Sequence, residues 1–236
     1  MTSNAQIGAM TLYIAAPATP AKAAIIVVPE IFGLNPGIVA KCDKLAAQGY
    51  LAVAPEIFWR FAPGVELNPD VEAELQQAFG YFGQYDADDG VIDIEATIKA
   101  IRAGSLSIGG TTPIAAVRKV GLVGYCLGGK LAYLAAARTD VDASVGYYAV
   151  GVDAMLNESH AIAHPLMLHI ASEDGFVTKD AQAAMHSGLD ALPNVTLCDY
   201  PGLDHGFATE SGNRRDDAGA TLADSRTEAF FKEHLA

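Results

Sequence analysis

Three side chains in this sequence have the types and the chain order of a nucleophile, an acid and a base. Cys126 lies at the centre of GLVGYCLGG (121–129), with Gly124 and Gly128 two residues to either side. Small residues in this frame let a chain turn sharply from a strand into a helix and hold the central side chain out beyond the sheet. A free thiol has a pKa near ~8.5 and is only slightly ionised at neutral pH, so it needs a base beside it. His205, in YPGLDHGF, supplies an imidazole. Asp174, in ASEDGFV, supplies an acid that can fix the imidazole tautomer and stabilise the imidazolium. Asp204, beside the histidine, is a rival for the acid role, although the position of Asp174 just after an apolar run favours Asp174. Covalent catalysis at a carbonyl is the chemistry that these types in this order point to.

Residues so far apart in sequence meet only if the elements between them bring them to one edge. AAIIVVP (23–29) is continuous and β-branched, as expected of a strand buried on both faces, and the stretch from Pro36 to Gly49 reads as helix. YLAVAP (50–55) is the next strand. After the loop EIFWRFAPGVELNP come helical stretches at 69–83 and 86–103. Further strands are VGLVGY (120–125), SVGYYAV (144–150), PLMLHIA (165–171) and VTLCDY (195–200), with helices starting near Leu127, Lys179 and Ala218. The helix at Leu127 would turn its positive dipole end toward the thiol and favour its ionised form. This alternation predicts an α/β fold with a mostly parallel central sheet and helices on both faces. Ligands then bind beyond the carboxyl ends of the strands, where Cys126, Asp174 and His205 all fall. Nucleophile, acid, histidine is also the chain order of an α/β-hydrolase triad.

A chain of 236 residues with 51% hydrophobic and 18% charged content suits one globular domain spanning 1–236. A formal charge of −13 repels phosphate backbones and anionic bilayers, so neither nucleic acid nor membrane is an expected partner. The N-terminal MTSNAQIGAMTLYIAAPATPAKAA has no basic segment before an apolar core, and no run is long enough to span a bilayer. A cytoplasmic monomer is the expectation. Cys42, Cys126 and Cys198 are widely spaced and odd in number, which argues for free thiols. Cys42 and Cys198 read as packing residues. His160, His164 and His169 cluster in sequence without supporting ligands and read as no metal site, and GSLSIGG (104–110) lacks the lysine of a phosphate loop and reads as a surface connection.

From PEIFG through GYCLGG, VGYYAVG and SEDGFV to DHGF, the sequence resembles the dienelactone hydrolase family of α/β hydrolases, whose nucleophile is cysteine. The resemblance covers nearly the whole chain. It implies a carboxylic ester or lactone hydrolase of the carboxymethylenebutenolidase type, working on a small molecule without metal or organic cofactor. It also assigns Glu30 of the EIFG motif to hydrogen-bond the resting thiol and help deprotonate it. The N–H groups of Ile31 and Leu127 would form the oxyanion hole. Phe32, Phe79, Phe82 and Tyr147 become candidate pocket walls. Family members that take dienelactone bind its carboxylate with two arginines, and Leu75 and Thr209 stand at those positions here. A neutral or differently anchored substrate is therefore expected, with Arg60, Arg214 and Arg215 as the arginines that could reach in and supply the missing charge. The alternatives are a general esterase or thioesterase and, in a different class, a non-catalytic thiol sensor or binding module using Cys126.

Overall fold

The computed structural model describes residues 2–210 and 212–236. The chain opens with an antiparallel hairpin, β1 (Thr2–Ile7) and β2 (Met10–Ala15), turned at Gly8, whose φ of 59° suits glycine. The sequence reading did not predict this hairpin. There follow β3 (Ala24–Val28), α1 (Pro36–Ala47), β4 (Leu51–Pro55), α2 (Glu72–Phe82) and α3 (Ala87–Ala103). GSLSIGG, expected as a plain connection, contributes to a minimal hairpin of β5 (Ser107–Ile108) and β6 (Thr112–Pro113). The second half holds β7 (Val120–Tyr125), α4 (Leu127–Arg138), β8 (Ala143–Tyr147), a 3-10 segment at Asp153–Ala161, β9 (Leu166–Ala171), α5 (Lys179–Leu189), β10 (Val195–Tyr200) and α6 (Asp217–His234).

Strand order across the main sheet is β1-β2-β4-β3-β7-β8-β9-β10, parallel from β4 through β10 and antiparallel where β2 meets β4 and β1. The chain leaves β3 for β4 on one side and returns to β7 on the other. Such a reversal opens a crevice at the carboxyl ends of the two strands. Register sharpens the placement: Val28 pairs with Gly124, so Glu30 and Cys126 each lie two residues beyond the last matched pair.

Alternation along the strands builds an apolar layer on each face. On β3, Ala24, Ile26 and Val28 join one layer, and Ile25 and Val27 join the other. The first layer is closed by α3, α4 and α5, through Ile94, Ile98, Leu131, Met185 and Leu189. The second is closed by α1 and α6, through Ile38, Cys42, Ala223, Phe230 and Phe231. Each large side chain removed from water in this way contributes about 1.5–3 kcal/mol, which fixes the strand ends on which the polar residues sit. Helix entry is set locally. Asn35 accepts from the Ile38 N–H at 3.1 Å with Pro36 at the first helical position of α1, and Asp216 accepts from the Gly219 N–H at 2.7 Å to start α6. The predicted strand over 144–150 stops at Tyr147, because Tyr148 takes a φ of 38° that a strand cannot continue. No helix among the described residues is long and apolar enough to cross a membrane.

Candidate active site

The turn that carries Cys126 is held by close backbone approaches. A Cβ on Gly124 would lie 1.9 Å from the Gly128 carbonyl oxygen, and one on Gly128 would lie 2.3 Å from the Val28 carbonyl oxygen. Only glycine fits at either position, and the chain can pass from β7 into α4 within one residue. That residue, Cys126, has φ 55° and ψ −111°. Strain of this kind is kept where surrounding packing fixes it. The result sets the thiol at the start of α4, where the Leu127 amide is the first N–H of the helix and has no intrahelical acceptor.

His205 follows β10 and is 5% exposed. Its Nδ1 lies 2.9 Å from Asp174 Oδ2 and 3.1 Å from Oδ1, with both side chains buried. Asp174 is itself oriented by the N–H groups of Phe176 and Val177, which donate to Oδ1 at 2.8 and 3.1 Å. Burial alone would lower the imidazole pKa, but the neighbouring Cys126 and the Asp174 carboxylate outweigh it and lift His205 to about 10. An imidazole in that setting can hold a proton beside a thiolate. Asp204 takes a different part: its Oδ1 accepts from the backbone N–H groups of Gly175 and His205, at 2.9 and 2.6 Å, and so braces the loops rather than the ring.

Glu30 is 6% exposed. Burial pushes its carboxyl up, and the charges of His205 and Lys41, the Tyr148 hydroxyl and Arg214 oppose that rise, in descending order. Tyr148 packs its ring 4.9 Å from the His205 ring and turns its buried hydroxyl toward Glu30. Tyr148 and Cys126 are the non-glycine residues with positive φ among the described residues, and both border this site.

Glu30, Cys126 and His205 share the wall of a cavity of about 290 Å³. Ile31, Phe32, Leu75, Phe79, Phe82 and Thr209 line it too, joined by Phe176, Asp70, Lys130 and Arg214, of which only Arg214 had been considered from sequence. Phe79 and Phe176 meet at 6.0 Å between ring centroids. Tyr147 does not belong to this wall. It is fully buried, and its hydroxyl is bonded to Asp224 at 3.0 Å and Thr227 at 2.7 Å under α6. Tyr148, just past the end of β8 with a φ of 38°, is the member of the tyrosine pair in VGYYAVG whose ring meets His205. Arg60 is also elsewhere, forked onto Asp93 at 2.5 and 3.0 Å and stacked on Trp59. Arg215 is tied to Asp217 at 2.7 Å and to the Thr209 carbonyl. Arg214 alone of the three reaches the cavity, where its guanidinium lies 5.6 Å from the Phe176 ring centroid.

The chemistry available is thus a thiol on a strained turn, an oriented imidazole, a buried carboxylate opposite, and an apolar chamber. The profile of the dienelactone hydrolase family matches residues 10–235. A provisionally assigned carboxymethylenebutenolidase of Azospirillum brasilense is 39% identical over 229 residues, covering 97% of this chain and 95% of that one. The carboxymethylenebutenolidase of Pseudomonas putida is 37% identical over 216 residues, covering 90% and 88%. Among solved structures, a provisionally assigned dienelactone hydrolase from Klebsiella pneumoniae subsp. pneumoniae MGH 78578 superposes with a TM-score of 0.82 at 22% identity, over 99% of this chain and 98% of that one.

Proposed function

The chain belongs to the dienelactone hydrolase family of carboxylic ester hydrolases, and from that premise we propose that it opens a small ester or lactone through an acyl-enzyme on Cys126. The observation that carries this reading is the buried His205–Asp174 pair on the cavity wall that Cys126 shares. His205 takes the proton from the thiol, with the Glu30 carboxylate assisting its departure, and the sulfur attacks the substrate carbonyl. The negative oxygen that forms is held by the N–H groups of Ile31 and Leu127. His205 then protonates the leaving oxygen, and the neutral imidazole takes a proton from water, whose oxygen attacks the thioester; the carbon–sulfur bond breaks, the acid leaves, and His205 returns its proton to the sulfur. Asp174 keeps Nδ1 protonated throughout, so that Nε2 faces the reacting atoms. A thiol sensor would need a partner thiol, and Cys42, fully buried with its thiol pushed up by that burial, is a poor one.

For the substrate, Leu75 and Thr209 give the wall no arginine at either position, while Phe32, Phe79, Phe82 and Phe176 make it apolar. Burying a carboxylate without a paired cation costs several kcal/mol, so the proposed substrate is a neutral ester or lactone, or one whose charge stays at the rim near Lys130 and Arg214. The test compares kcat/KM for a dienelactone and for a neutral aryl ester of similar size, in wild type and in L75R/T209R. We expect wild type to favour the neutral ester and the double variant to gain on the dienelactone. Strong wild-type preference for the dienelactone would overturn the substrate assignment, and turnover of neither would overturn the function.

A further inference from the structure

Glu30 also lines a second, polar cavity of about 520 Å³, whose wall carries Lys41 from α1. Lys41 is only 7% exposed, and the surroundings of its ammonium are fully specified. Nζ donates to the Ala208 carbonyl at 2.8 Å, lies 3.2 Å from Glu210 Oε1, and rests 4.3 Å from the centroid of the Tyr125 ring. Two of these partners belong to the loop that follows His205, and the third directly precedes Cys126. The other oxygen of Glu210 is held by Lys44. A buried ion pair is weak evidence for stability, since apolar residues of similar volume often serve as well or better. The cavity wall it shares with Glu30, on whose carboxyl its charge acts, supplies another reason for a lysine here.

We propose that Lys41 is a positioning residue of the thiol site: its ammonium keeps Glu30 charged while His205 gains and loses its proton, and its bond to Ala208 holds the His205 loop against α1. The inference rests on the function proposed above for its meaning, though not for its test. The charged and titratable groups around Glu30 are His205, Lys41, Tyr148 and Arg214, with Tyr125 close by, Cys126 and Asp70 on the wall of the first cavity, and Glu66, Asp70, Glu74 and Glu210 on that of the second. Burial acts against the charged carboxylate, and His205 is the first of the groups that oppose it. In the proposed cycle that charge disappears once the leaving group has been protonated. Arg214 is exposed, and solvent screens it. Lys41 is the buried cation that takes no part in the proton transfers.

The test reads Glu30 itself. Its carboxyl stretch, assigned by the difference from E30Q, is titrated by infrared spectroscopy in wild type, K41M, K41R and E210Q. Alkylation of Cys126 by iodoacetamide is followed across the same pH range. Removing the cation in K41M should raise the Glu30 midpoint by on the order of one pH unit, and K41R should restore it. E210Q removes an anion and leaves the field of Lys41 unshared, so it should lower the midpoint. Opposite shifts are beyond a purely structural residue, whose loss would disturb the site in one direction. Unchanged midpoints, or shifts of the same sign, would overturn the proposal. If K41M fails to fold, the absence of a downward shift in E210Q would overturn it alone. A wild-type enzyme that alkylates normally yet hydrolyses no ester would contradict the proposed function and leave the Glu30 result standing.

Discussion

Replacing Asp174 by Asn keeps the shape of the side chain and reverses what it offers His205. Asp174 Oδ1 already accepts from the Phe176 and Val177 N–H groups at 2.8 and 3.1 Å. In D174N the amide oxygen stays with those donors, because an NH2 group cannot accept from them, and the NH2 is turned toward Nδ1. Nδ1 must then accept, so the ring proton moves to Nε2, the atom that should receive one. Loss of the charge-assisted bond alone is worth about 1.5–3 kcal/mol, or roughly 10- to 150-fold in rate. The reversed tautomer brings the whole effect to about 10⁴-fold in kcat, the scale of the same change in a serine triad. Single-turnover hydrolysis of an activated aryl ester measures it, with D204N as the control. Asp204 bonds the backbone at Gly175 and His205, so D204N should lower Tm yet keep kcat within a few-fold. D174N within tenfold of wild type, or D204N as damaging as D174N, would refute the reasoning.

Glu30→Gln should slow acylation by roughly 10²-fold, the lower scale of general-base assistance, while stability holds or rises because a buried charge is removed. Unchanged single-turnover acylation would make Glu30 structural. Tyr147→Phe should leave KM alone but cost about 1–3 kcal/mol in denaturant melts, since Asp224 and Thr227 lose a buried partner; a shifted KM with unchanged stability would return Tyr147 to the pocket. His169 is fully buried between the Tyr200 hydroxyl, at 2.7 Å, and Thr227 Oγ1, at 2.9 Å, and desolvation lowers its pKa to about 3. Between about pH 6.5 and that value the unfolded chain binds a proton that the folded chain does not, so stability is full above the window and is lost as pH falls through it. Melts at pH 7 and pH 4 should show that loss, on the order of a few kcal/mol, in wild type and much less of it in H169Q; equal acid sensitivity of the two would contradict the assignment.

The parallel strands were legible because strands buried on both faces are written as unbroken β-branched runs, as in AAIIVVP. The N-terminal hairpin was not, since TSNAQI carries little of that signal, and its one marker is Gly8 at a two-residue turn between Ile7 and Met10. Cys126, Asp174 and His205 could be read because each lies within a few residues beyond a strand, so the strand end locates it. The choice between Asp174 and Asp204 could not be settled that way, because it depends on which oxygen meets a ring nitrogen and which meets backbone. The pocket role of Tyr147 rests on the resemblance alone, and nothing in two adjacent tyrosines says that the strand stops at Tyr147 and that Tyr148, at a φ of 38°, turns to His205. Lys41 carries no motif, and SEDGFV does not say that its Phe176 faces the cavity. They reach the site through the packing of α1 and of the loop after β9, which no local pattern encodes.

The central claim is that turnover passes through an acyl group on Cys126, and rapid-quench intact-protein mass spectrometry with an activated aryl ester tests it most directly. The account predicts a burst of one adduct per chain with the mass of the acyl group, mapped to Cys126, decaying at the rate of turnover and absent in C126A, which folds but does not hydrolyse. Steady hydrolysis that survives in C126A, or an adduct on another residue, would contradict it.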